Sequence, residues 1–547
     1  MGKKRRPKYI FVVGGVLSGV GKGVTSASLG AIFRSKHFKV TALKADPYIN
    51  VDAGTMNPTE HGEVFVTDDG DETDQDMGNY ERFLDVDLTR TNYMTTGRIY
   101  QTVIDNERSM KYKGRCVEVV PHIPEEILRR IKEAQKVHEA DITIIEIGGT
   151  VGEYQNILFL EAVREMKLKY PDDIALVLVS YLPVPSHIGE MKTKPTQNAQ
   201  RSLNSVGLHA DLIVARGPME LDMIRRQKLS LLCGIHKEYS ISAPDVESIY
   251  EIPLKMEDQD IGNKLLKILH LPGRRSFLKQ WDAFVHQIKH TKREVRIGVV
   301  GKYFGTGDFT LADSYISVIE AIRHASWYHS AKPVLDWIDS EDFEQNPQRL
   351  KTLNAYHGVI VPGGFGTRGV EGIIRAIQFV REQKIPYLGL CYGMQLATVE
   401  FARHVLGIEE ANTVEMDPAS REPIIHVNPF QEKNIRENRY GATMRLGAYT
   451  AALKKGSVVC KAYGKPAISE RHRHRYEFNN AYRKRIDDAG LRVVGVNPES
   501  DLVEIVELDG HPFFVGTQFH PEFHSRPMRP HPLFREFIRA ALKRTVL

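Results

Sequence analysis

Cysteine is scarce in this sequence: the 547 residues contain four, Cys116, Cys233, Cys391 and Cys460, and no two lie close together. Disulfide frameworks and zinc sites need several cysteines at short spacings, so neither is expected. Long apolar runs are missing too, since none reaches the roughly 18 residues of a membrane-spanning helix, and no signal-peptide segment precedes the first predicted strand. We therefore expect a cytoplasmic protein with no membrane partner.

The sequence also lacks an excess of charge of one sign. Lys and Arg number 74 against 69 Asp and Glu, a net charge of +5. A nucleic-acid-binding surface needs concentrated positive charge, so no nucleic-acid partner is expected. The basic run at residues 3–8 is interpreted as a solvated terminal tail. A length of 547 residues exceeds what one hydrophobic core organises, which predicts two to four domains.

Glycine, by contrast, is concentrated in residues 14–23, with the sequence GGVLSGVGKG. The apolar run 9–13 before it predicts a buried strand, and residues 24–34 after it predict a helix. A glycine loop between strand and helix lets backbone N–H groups point at phosphate oxygens, and Lys22 adds a positive charge. The spacing is not that of a standard P-loop, because Gly23 stands where Ser or Thr is usual. A turn without a ligand would leave Gly-Lys-Gly at a helix start unexplained.

Strands and helices alternate through the rest of the first half. Predicted strands lie at 39–44, 141–147, 174–179 and 211–215, and predicted helices include 125–138 and 155–169. This alternation indicates a doubly wound parallel sheet, which binds ligands beyond the carboxyl ends of its strands. A long polar segment, residues 46–76, follows the second strand, and a loop of that length in a compact domain is usually functional.

Six acidic residues fall within positions 68–76. Most of them are interpreted as a solvated face, as is usual for a run of charge. Glu146 differs, because it ends a predicted buried strand, where the P-loop class places a magnesium-binding acid. We choose Asp76 as its partner, although spacing alone does not separate it from Asp74.

The second half restarts the α/β pattern after a polar linker. We predict a first domain over 1–270, a linker over 271–293 and a second domain over 294–547. Predicted strands of the second domain are 295–300, 358–361 and 385–389, with a helix over 370–383.

Residues 389–393 of this domain read Gly-Leu-Cys-Tyr-Gly. Glycines on both sides of a nucleophile, between strand and helix, are typical of a nucleophile elbow, whose sharp turn exposes Cys391. A cysteine nucleophile needs a base and an orienting acid, and His520 and Glu522 provide them. In an extended segment these two side chains point to the same face.

An oxyanion hole is expected nearby. The glycine turn at residues 361–366 offers backbone N–H groups, and Gly364 is the best candidate donor. A buried, inert thiol at Cys391 would leave the elbow, the His-x-Glu pair and this turn without a common explanation.

Taken together, these motifs resemble the CTP synthase family over nearly the whole chain. Pro362-Gly363-Gly364, the Cys391 elbow and His520-Pro521-Glu522 are similar to a class I glutamine amidotransferase domain. In the first half, the stretches similar to the synthetase domain are 14–23, 46–52, 61–66, 148–153 and 192–197. Ala45 and Asn79 stand where the family more often has Leu and His, and neither touches a catalytic assignment.

This resemblance implies two doubly wound α/β domains with mainly parallel sheets, a P-loop-type synthetase (amidoligase) domain and a class I glutaminase domain. It implies ATP-dependent amination of UTP to CTP through a UTP phosphorylated at O4, with ammonia from L-glutamine. It further implies magnesium, activation by GTP, inhibition by CTP and a homotetramer.

The resemblance also implies roles for individual residues. ATP and UTP or CTP would be held at the loop by Ser18, Gly19, Val20, Gly21, Lys22, Gly23 and Val24, and magnesium by Asp76, which also counts as a nucleotide position, and Glu146. UTP or CTP would be contacted by Glu153, Tyr154, Gln155, Lys192, Thr193, Lys194, Pro195, Thr196, Gln197 and Lys228, and adenine by Pro244, Asp245 and Val246. Glutamine would be contacted by Gly364, Tyr392, Gly393, Met394, Gln395, Glu415 and Arg475, with Cys391, His520 and Glu522 catalytic.

Two alternatives are weighed. A cobyrinic acid amide synthase would also join a variant P-loop to a glutaminase-like half, but residues 61–66 and 192–197 argue against it. A partitioning-type ATPase carries a lysine near the start of its loop, and residues 14–20 contain none. Such a switch would also give the Cys391 site no purpose.

Overall fold

A computed structural model describes residues 6–187, 189–302, 305–306, 309–310, 312–428 and 443–546. Residues 3–5 of the predicted basic tail lie outside this range. The chain forms two compact units: Met1–Asp52 with Asp76–His286, and Ala53–Gln75 with Gln287–Leu547. The units differ from the predicted domains in that residues 53–75 belong to the second one. The predicted linker also contains a helix, Lys279–His290.

The first unit is built on a seven-stranded sheet. Its strands are β1 (Lys8–Gly15), β2 (Val40–Asp46), β3 (Tyr93–Thr95), β4 (Ile142–Ile147), β5 (Ile174–Tyr181), β6 (Leu212–Gly217) and β7 (Ser240–Pro244). They lie in the order β3-β2-β4-β1-β5-β6-β7, and every pairing is parallel. All seven carboxyl ends therefore meet at one edge, as predicted for a doubly wound sheet.

Helices cover the sheet of the first unit. Those of eight or more residues that lie wholly within it are Lys22–Ser35, Asp76–Leu84, Thr96–Arg108, Val119–Val137, Ile157–Lys169, Lys194–Ser205, Met223–Cys233 and Ile261–Ile268. The strands are apolar on both faces because helices pack on both, so β1 and β2 are buried along their whole length. The predicted helix over 125–138 overlaps the element Val119–Val137, whose backbone is not helical at Val120.

The second unit is built on a nine-stranded sheet. Its strands are β8 (Glu294–Gly301), β9 (Lys332–Asp339), β10 (Gly358–Val361), β11 (Tyr387–Leu390), β12 (Arg445–Leu453), β13 (Ala467–His474), β14 (Leu491–Val496), β15 (Val503–Leu508) and β16 (Phe514–Thr517). They lie in the order β9-β8-β10-β11-β16-β15-β14-β12-β13. Pairing is parallel from β9 to β16 and antiparallel from β16 to β13. The sequence did not predict the antiparallel half.

Helices Ile316–Tyr328, Val370–Glu382, Tyr392–His404 and Pro532–Ala541 pack on this sheet. The strands Ala411–Thr413, Glu422–Val427 and Tyr476–Phe478 form a smaller sheet. In the segment 53–75, two short strands, Phe65–Val66 and Glu72–Thr73, pair with each other. Within the described part of the chain, no helix has the length and apolar character needed to cross a membrane.

Candidate active sites

The predicted phosphate loop joins β1 to the helix Lys22–Ser35. Gly19 and Gly21 have φ of 70° and 93°, in the left-handed region that favours glycine. The loop therefore turns where the sequence predicted. The Lys22 ammonium is buried and donates to the Gly149 carbonyl at 3.0 Å, and burial lowers its pKa despite the nearby carboxylates of Glu146 and Asp76.

Gly23 departs from the P-loop pattern for a steric reason. A Cβ atom at this position would lie 2.0 Å from Oδ1 of Asp76. The Asp76 carboxylate thus fills the space that the Ser or Thr side chain of a standard P-loop would need. The position of the Asp76 carboxylate therefore requires a residue without a side chain at position 23.

The two predicted magnesium ligands are brought together by a lysine that the sequence analysis missed. The ammonium of Lys44, near the end of β2, contacts Asp76 and lies 2.9 Å from Oε1 of Glu146. Lys44 and Glu146 are register partners on neighbouring parallel strands. Burial raises the pKa of Glu146 against the opposing effect of Lys44, and the Tyr80 hydroxyl donates to the same carboxylate.

These carboxylates fit a magnesium ion only in part. Asp46, also within 3.8 Å of the Lys44 ammonium, has a buried Oδ2 atom with no hydrogen-bond partner among the described residues. Among those residues no group of three His, Cys, Asp or Glu side chains is arranged to hold a metal. One or two carboxylates with nucleotide phosphates completing the shell is a usual magnesium arrangement.

Other predicted nucleotide residues follow the strands of the same sheet edge. Pro244 ends β7, and the Asp245 carboxylate after it accepts from Arg216 at 3.1 Å. Arg216, in β6, also lies beside the phosphate loop, because a Cβ on Gly21 would be 3.4 Å from its Nε. Arg216 was not predicted. A cation at the end of a strand adjoining the loop could have indicated it.

The other residues predicted to contact UTP or CTP make contacts among themselves and with their neighbours. Lys192 pairs with Glu190 at 2.9 Å, and Glu190 also pairs with Arg225 of the helix that carries Lys228. Thr196 accepts from Ser180 of β5 at 2.8 Å, and Gln197 donates to Thr193 at 3.0 Å. Residues 153–155 are exposed, as are Ser18 and Lys228. The structure shows no contact between Lys228 and Lys192.

The second unit carries the predicted elbow between β11 and the helix Tyr392–His404. Cys391 has φ of 50°, a strained value for a residue with a side chain. The flanking glycines are required by close contacts: a Cβ on Gly393 would lie 2.3 Å from the Val361 carbonyl oxygen, and one on Gly389 would lie 2.8 Å from the backbone of Gly393. Cys391 lines a pocket together with Gly364, Arg473, His520 and Glu522.

His520 and Glu522 form a buried ion pair, with Nδ1 of the imidazole 2.7 Å from Oε1 of the carboxylate. The expected extended segment is wrong, because Pro521–His524 is a 3₁₀ turn, and this turn brings the carboxylate back to the ring. Burial opposes a charged imidazole, but Glu522 and the Cys391 sulfur outweigh it and raise the pKa of His520 to about 10. A charged His beside a cysteine favours the nucleophilic thiolate.

The residues predicted to contact glutamine make different contacts in the structure. The Glu415 carboxylate accepts from the Gly366 N–H at 2.8 Å, and the Tyr392 hydroxyl donates to the Gly366 carbonyl at 2.9 Å, so both hold the glycine turn. Gln395 donates to Gln518, which donates to the Cys391 sulfur at 3.6 Å. The other residues predicted to contact glutamine are not equally exposed to solvent.

Met394 packs on Gly516 in the core and is fully buried. Gly393 is equally buried. Arg475 follows β13, and its guanidinium donates to Thr443 at 2.9 Å.

The acidic segment 68–76 is less solvated than predicted. The Glu72 carboxylate is buried and accepts from Arg473 at 2.8 Å, and Asp68 pairs with Arg471 and His524. Asp71 is buried as well. Asp68 and Glu72 thus hold β13 of the second unit, whose Arg473 carbonyl borders Cys391.

Comparisons with known proteins agree with this division. Residues 8–271 match the family model described as CTP synthase N-terminus, and residues 310–540 match glutamine amidotransferase class-I. A CTP synthase of Carboxydothermus hydrogenoformans is 49% identical, over 98% of this chain and 99% of the relative. One of Symbiobacterium thermophilum is 48% identical, over 98% of each chain. The solved glutaminase domain of a Trypanosoma brucei CTPS with bound acivicin is 36% identical, with a TM-score of 0.42, over 46% of this chain and 96% of that one.

A phosphate-binding unit and a class I glutaminase unit in one chain define a glutamine-dependent ligase. Relatives that match almost the full length narrow this class further. The chain belongs to the CTP synthase family. Both alternatives, the cobyrinic acid amide synthase and the partitioning ATPase, are thereby set aside.

Proposed function

We propose that this enzyme converts UTP to CTP through a UTP phosphorylated at O4, using ammonia that Cys391 releases from glutamine. Family membership makes the enzyme a glutamine-hydrolysing ligase that takes nucleotides and glutamine. The observation that carries the route is the pairing of two different sites: a phosphate loop beside carboxylates, and a thiol beside a charged His–Glu pair.

The first unit would supply phosphoryl transfer. A carbonyl oxygen is a poor leaving group, so ATP would transfer its γ-phosphoryl group to O4 of the uracil, and ammonia would then displace phosphate at C4. Lys22 and the loop N–H groups would neutralise charge on the transferring group. Asp76 and Glu146 would hold magnesium, which lowers the charge repulsion between phosphates when it is bound.

The same unit would hold UTP and its product. Lys192, Lys194 and Lys228 offer positive charge for a triphosphate, and residues 153–155 and 193–197 surround it. Because UTP and CTP share the triphosphate, their sites should overlap there, which is how CTP would inhibit. Pro244, Asp245 and Val246 would contact the adenine of ATP.

The second unit would supply ammonia. His520 would act as the base by holding the proton of the Cys391 thiol, so that the thiolate attacks the glutamine amide carbon. The charged imidazole would then pass that proton to the leaving ammonia. Glu522 would keep the imidazole oriented, and the Gly364 N–H would stabilise the oxyanion. Water would then hydrolyse the thioester to glutamate. Glu415 and Arg475 would bind the amino and carboxylate groups of glutamine.

The proposal includes the regulation and setting that the family resemblance implies. GTP would activate glutamine hydrolysis, and the enzyme would work as a cytoplasmic homotetramer. The synthetase and glutaminase domains would correspond to residues 1–270 and 294–547, with the segment 53–75 packed on the second.

The decisive variant is Cys391→Ala. Removing the nucleophile of a catalytic group of this kind costs several orders of magnitude, so glutamine-dependent CTP formation should fall to background. Synthesis from ammonium salts at mildly alkaline pH should persist, because the first unit needs only ammonia. Both rates are measured on one preparation with ATP, UTP, magnesium and GTP. Loss of both in a folded variant contradicts the division of labour, and retained glutamine use contradicts Cys391.

A further inference from the structure

Lys302 is a buried lysine with no role in the proposed reaction, and it lies beside residues proposed to bind glutamine. Lys302 directly follows β8, so it shares the carboxyl edge of the parallel strands with the glycine turn after β10 and with Cys391 after β11. Lys302 is 4% exposed, which is unusual for a lysine, and the acceptors that its ammonium contacts in the described chain include carbonyl oxygens of the glycine turn.

The Lys302 ammonium donates hydrogen bonds to the glycine turn. It donates to the carbonyl oxygens of Gly366 at 2.5 Å and Phe365 at 3.3 Å, and it lies 3.4 Å from the Tyr392 hydroxyl. The same ammonium stands 4.5 Å from the centroid of the Tyr392 ring. One charge therefore joins the turn that carries Gly364 to the first residue of the helix after Cys391.

The Gly366 peptide is fixed from both sides. Its carbonyl accepts from Lys302 and from the Tyr392 hydroxyl, while its N–H donates to Glu415 at 2.8 Å. Hydrogen bonds from a charged donor are the stronger kind, so Lys302 is the main constraint on the carbonyl side. Without it, two groups would remain to orient a turn two residues from Gly364.

We propose that Lys302 is a positioning residue for glutamine hydrolysis: its ammonium holds the Gly364–Gly366 turn and Tyr392 in the geometry that binds glutamine and stabilises the oxyanion. The inference rests on the proposed function of the Cys391 site. Lys302 touches neither the thiol nor the imidazole, so it acts through the turn.

The charge of Lys302 is open to titration. Burial lowers its pKa to about 8, against the opposing effect of Glu415. Arg368, whose guanidinium donates to the Lys302 carbonyl, also disfavours the charge, and Glu344 favours it. The charge is present below this pKa and lost above it, so glutamine hydrolysis should decline as the pH rises through about 8. The pKa of His520 is raised to about 10, so His520 loses its charge at a higher pH than Lys302 does.

The test replaces Lys302 by Met, which keeps the length and removes the charge. A lost charge-assisted hydrogen bond should lower kcat/KM for glutamine roughly ten- to hundredfold, with a raised KM. Ammonia-dependent CTP synthesis should stay at the wild-type rate. Lys332→Met, on the neighbouring strand β9, is the control, because that lysine is exposed and pairs only distantly with Glu294, at 3.6 Å.

The pH profile separates positioning from a general structural role. Wild-type kcat/KM for glutamine should show a decline near pH 8 that is absent from the Met variant, whereas ammonia-dependent rates of the two proteins should follow one curve. If Lys302→Met does not fold, the wild-type profile alone decides, since no decline near pH 8 refutes the proposal.

Wild-type glutamine kinetics in Lys302→Met, or an equal loss of ammonia-dependent synthesis in a folded variant, also refutes it. Failure of the proposed function would look different. It would appear as glutamine use that survives Cys391→Ala, whatever position 302 carries.

Discussion

Replacing Glu72 by Gln should impair the glutaminase site, although Glu72 lies in the first sixth of the sequence. Its carboxylate accepts from Nε of Arg473 at 2.8 Å, and the two side chains are 1% and 19% exposed. The carbonyl oxygen of Arg473 lies 3.9 Å from the Cys391 sulfur, in the pocket that His520 also lines. Glutamine keeps the shape of the side chain and removes its charge, so the variant isolates the ion pair.

The expected cost follows from what remains for Arg473. Removing one partner of a buried ion pair costs about 3–5 kcal/mol. Arg473 is partly exposed and keeps a hydrogen bond to the Gly54 carbonyl at 3.2 Å, so the lower part of that range applies. A loss of about 3 kcal/mol would lower the Tm of a domain of this size by roughly 6–12 °C.

The assay combines thermal unfolding of the full chain with the two rates of CTP formation. We expect a lower Tm for one of two transitions, a glutamine kcat/KM reduced at least roughly tenfold, and ammonia-dependent synthesis close to wild type. Asp69→Asn is the matched control, because it removes one charge from the same segment at an exposed residue. Equal behaviour of the two variants, or a loss confined to ammonia-dependent synthesis, would refute the assignment of residues 53–75 to the second unit's site.

Two further predictions concern the first unit. Asp76→Asn and Glu146→Gln should each abolish CTP formation from glutamine and from ammonia while glutamine hydrolysis persists, measured as glutamate release; near-normal ammonia-dependent synthesis in either variant would remove that residue from the magnesium site. Lys192→Ala should raise the KM for UTP and weaken inhibition by CTP together, measured by initial rates with added CTP, and a variant that changes neither would exclude Lys192 from the nucleotide site.

Local patterns predicted most of the fold. The apolar runs at residues 9–13 and 174–179 lie within β1 and β5, because a strand buried on both faces is apolar throughout. The strands β12 to β15 were missed for the opposite reason. Strand β12 has exposed and buried residues without a continuous apolar run, so its pairing depends on partners distant in sequence.

The proposed catalytic residues were predictable where a motif encodes the geometry. The Cys391 elbow and the His520–Glu522 pair are local, since a turn fixes each of them. Local motifs did not predict Lys44, Arg216 and Lys302. Each lies at or near the end of a parallel strand, and the order of strands in the sheet decides which residues it meets there. A rule that examines charged residues at the ends of all parallel strands would have found them.

Gly23 illustrates how a departure from a motif becomes informative once the structure is known. The sequence shows a phosphate loop that lacks the usual Ser or Thr at position 23. The structure places the Asp76 carboxylate in the space that a side chain at position 23 would occupy. Magnesium prefers oxygen ligands, so in the proposed site the Asp76 carboxylate would supply the oxygen that a Ser or Thr hydroxyl at position 23 supplies in a standard P-loop. Gly23→Ser should therefore displace Asp76 and fail to restore a standard P-loop, because the added Cβ atom has no room.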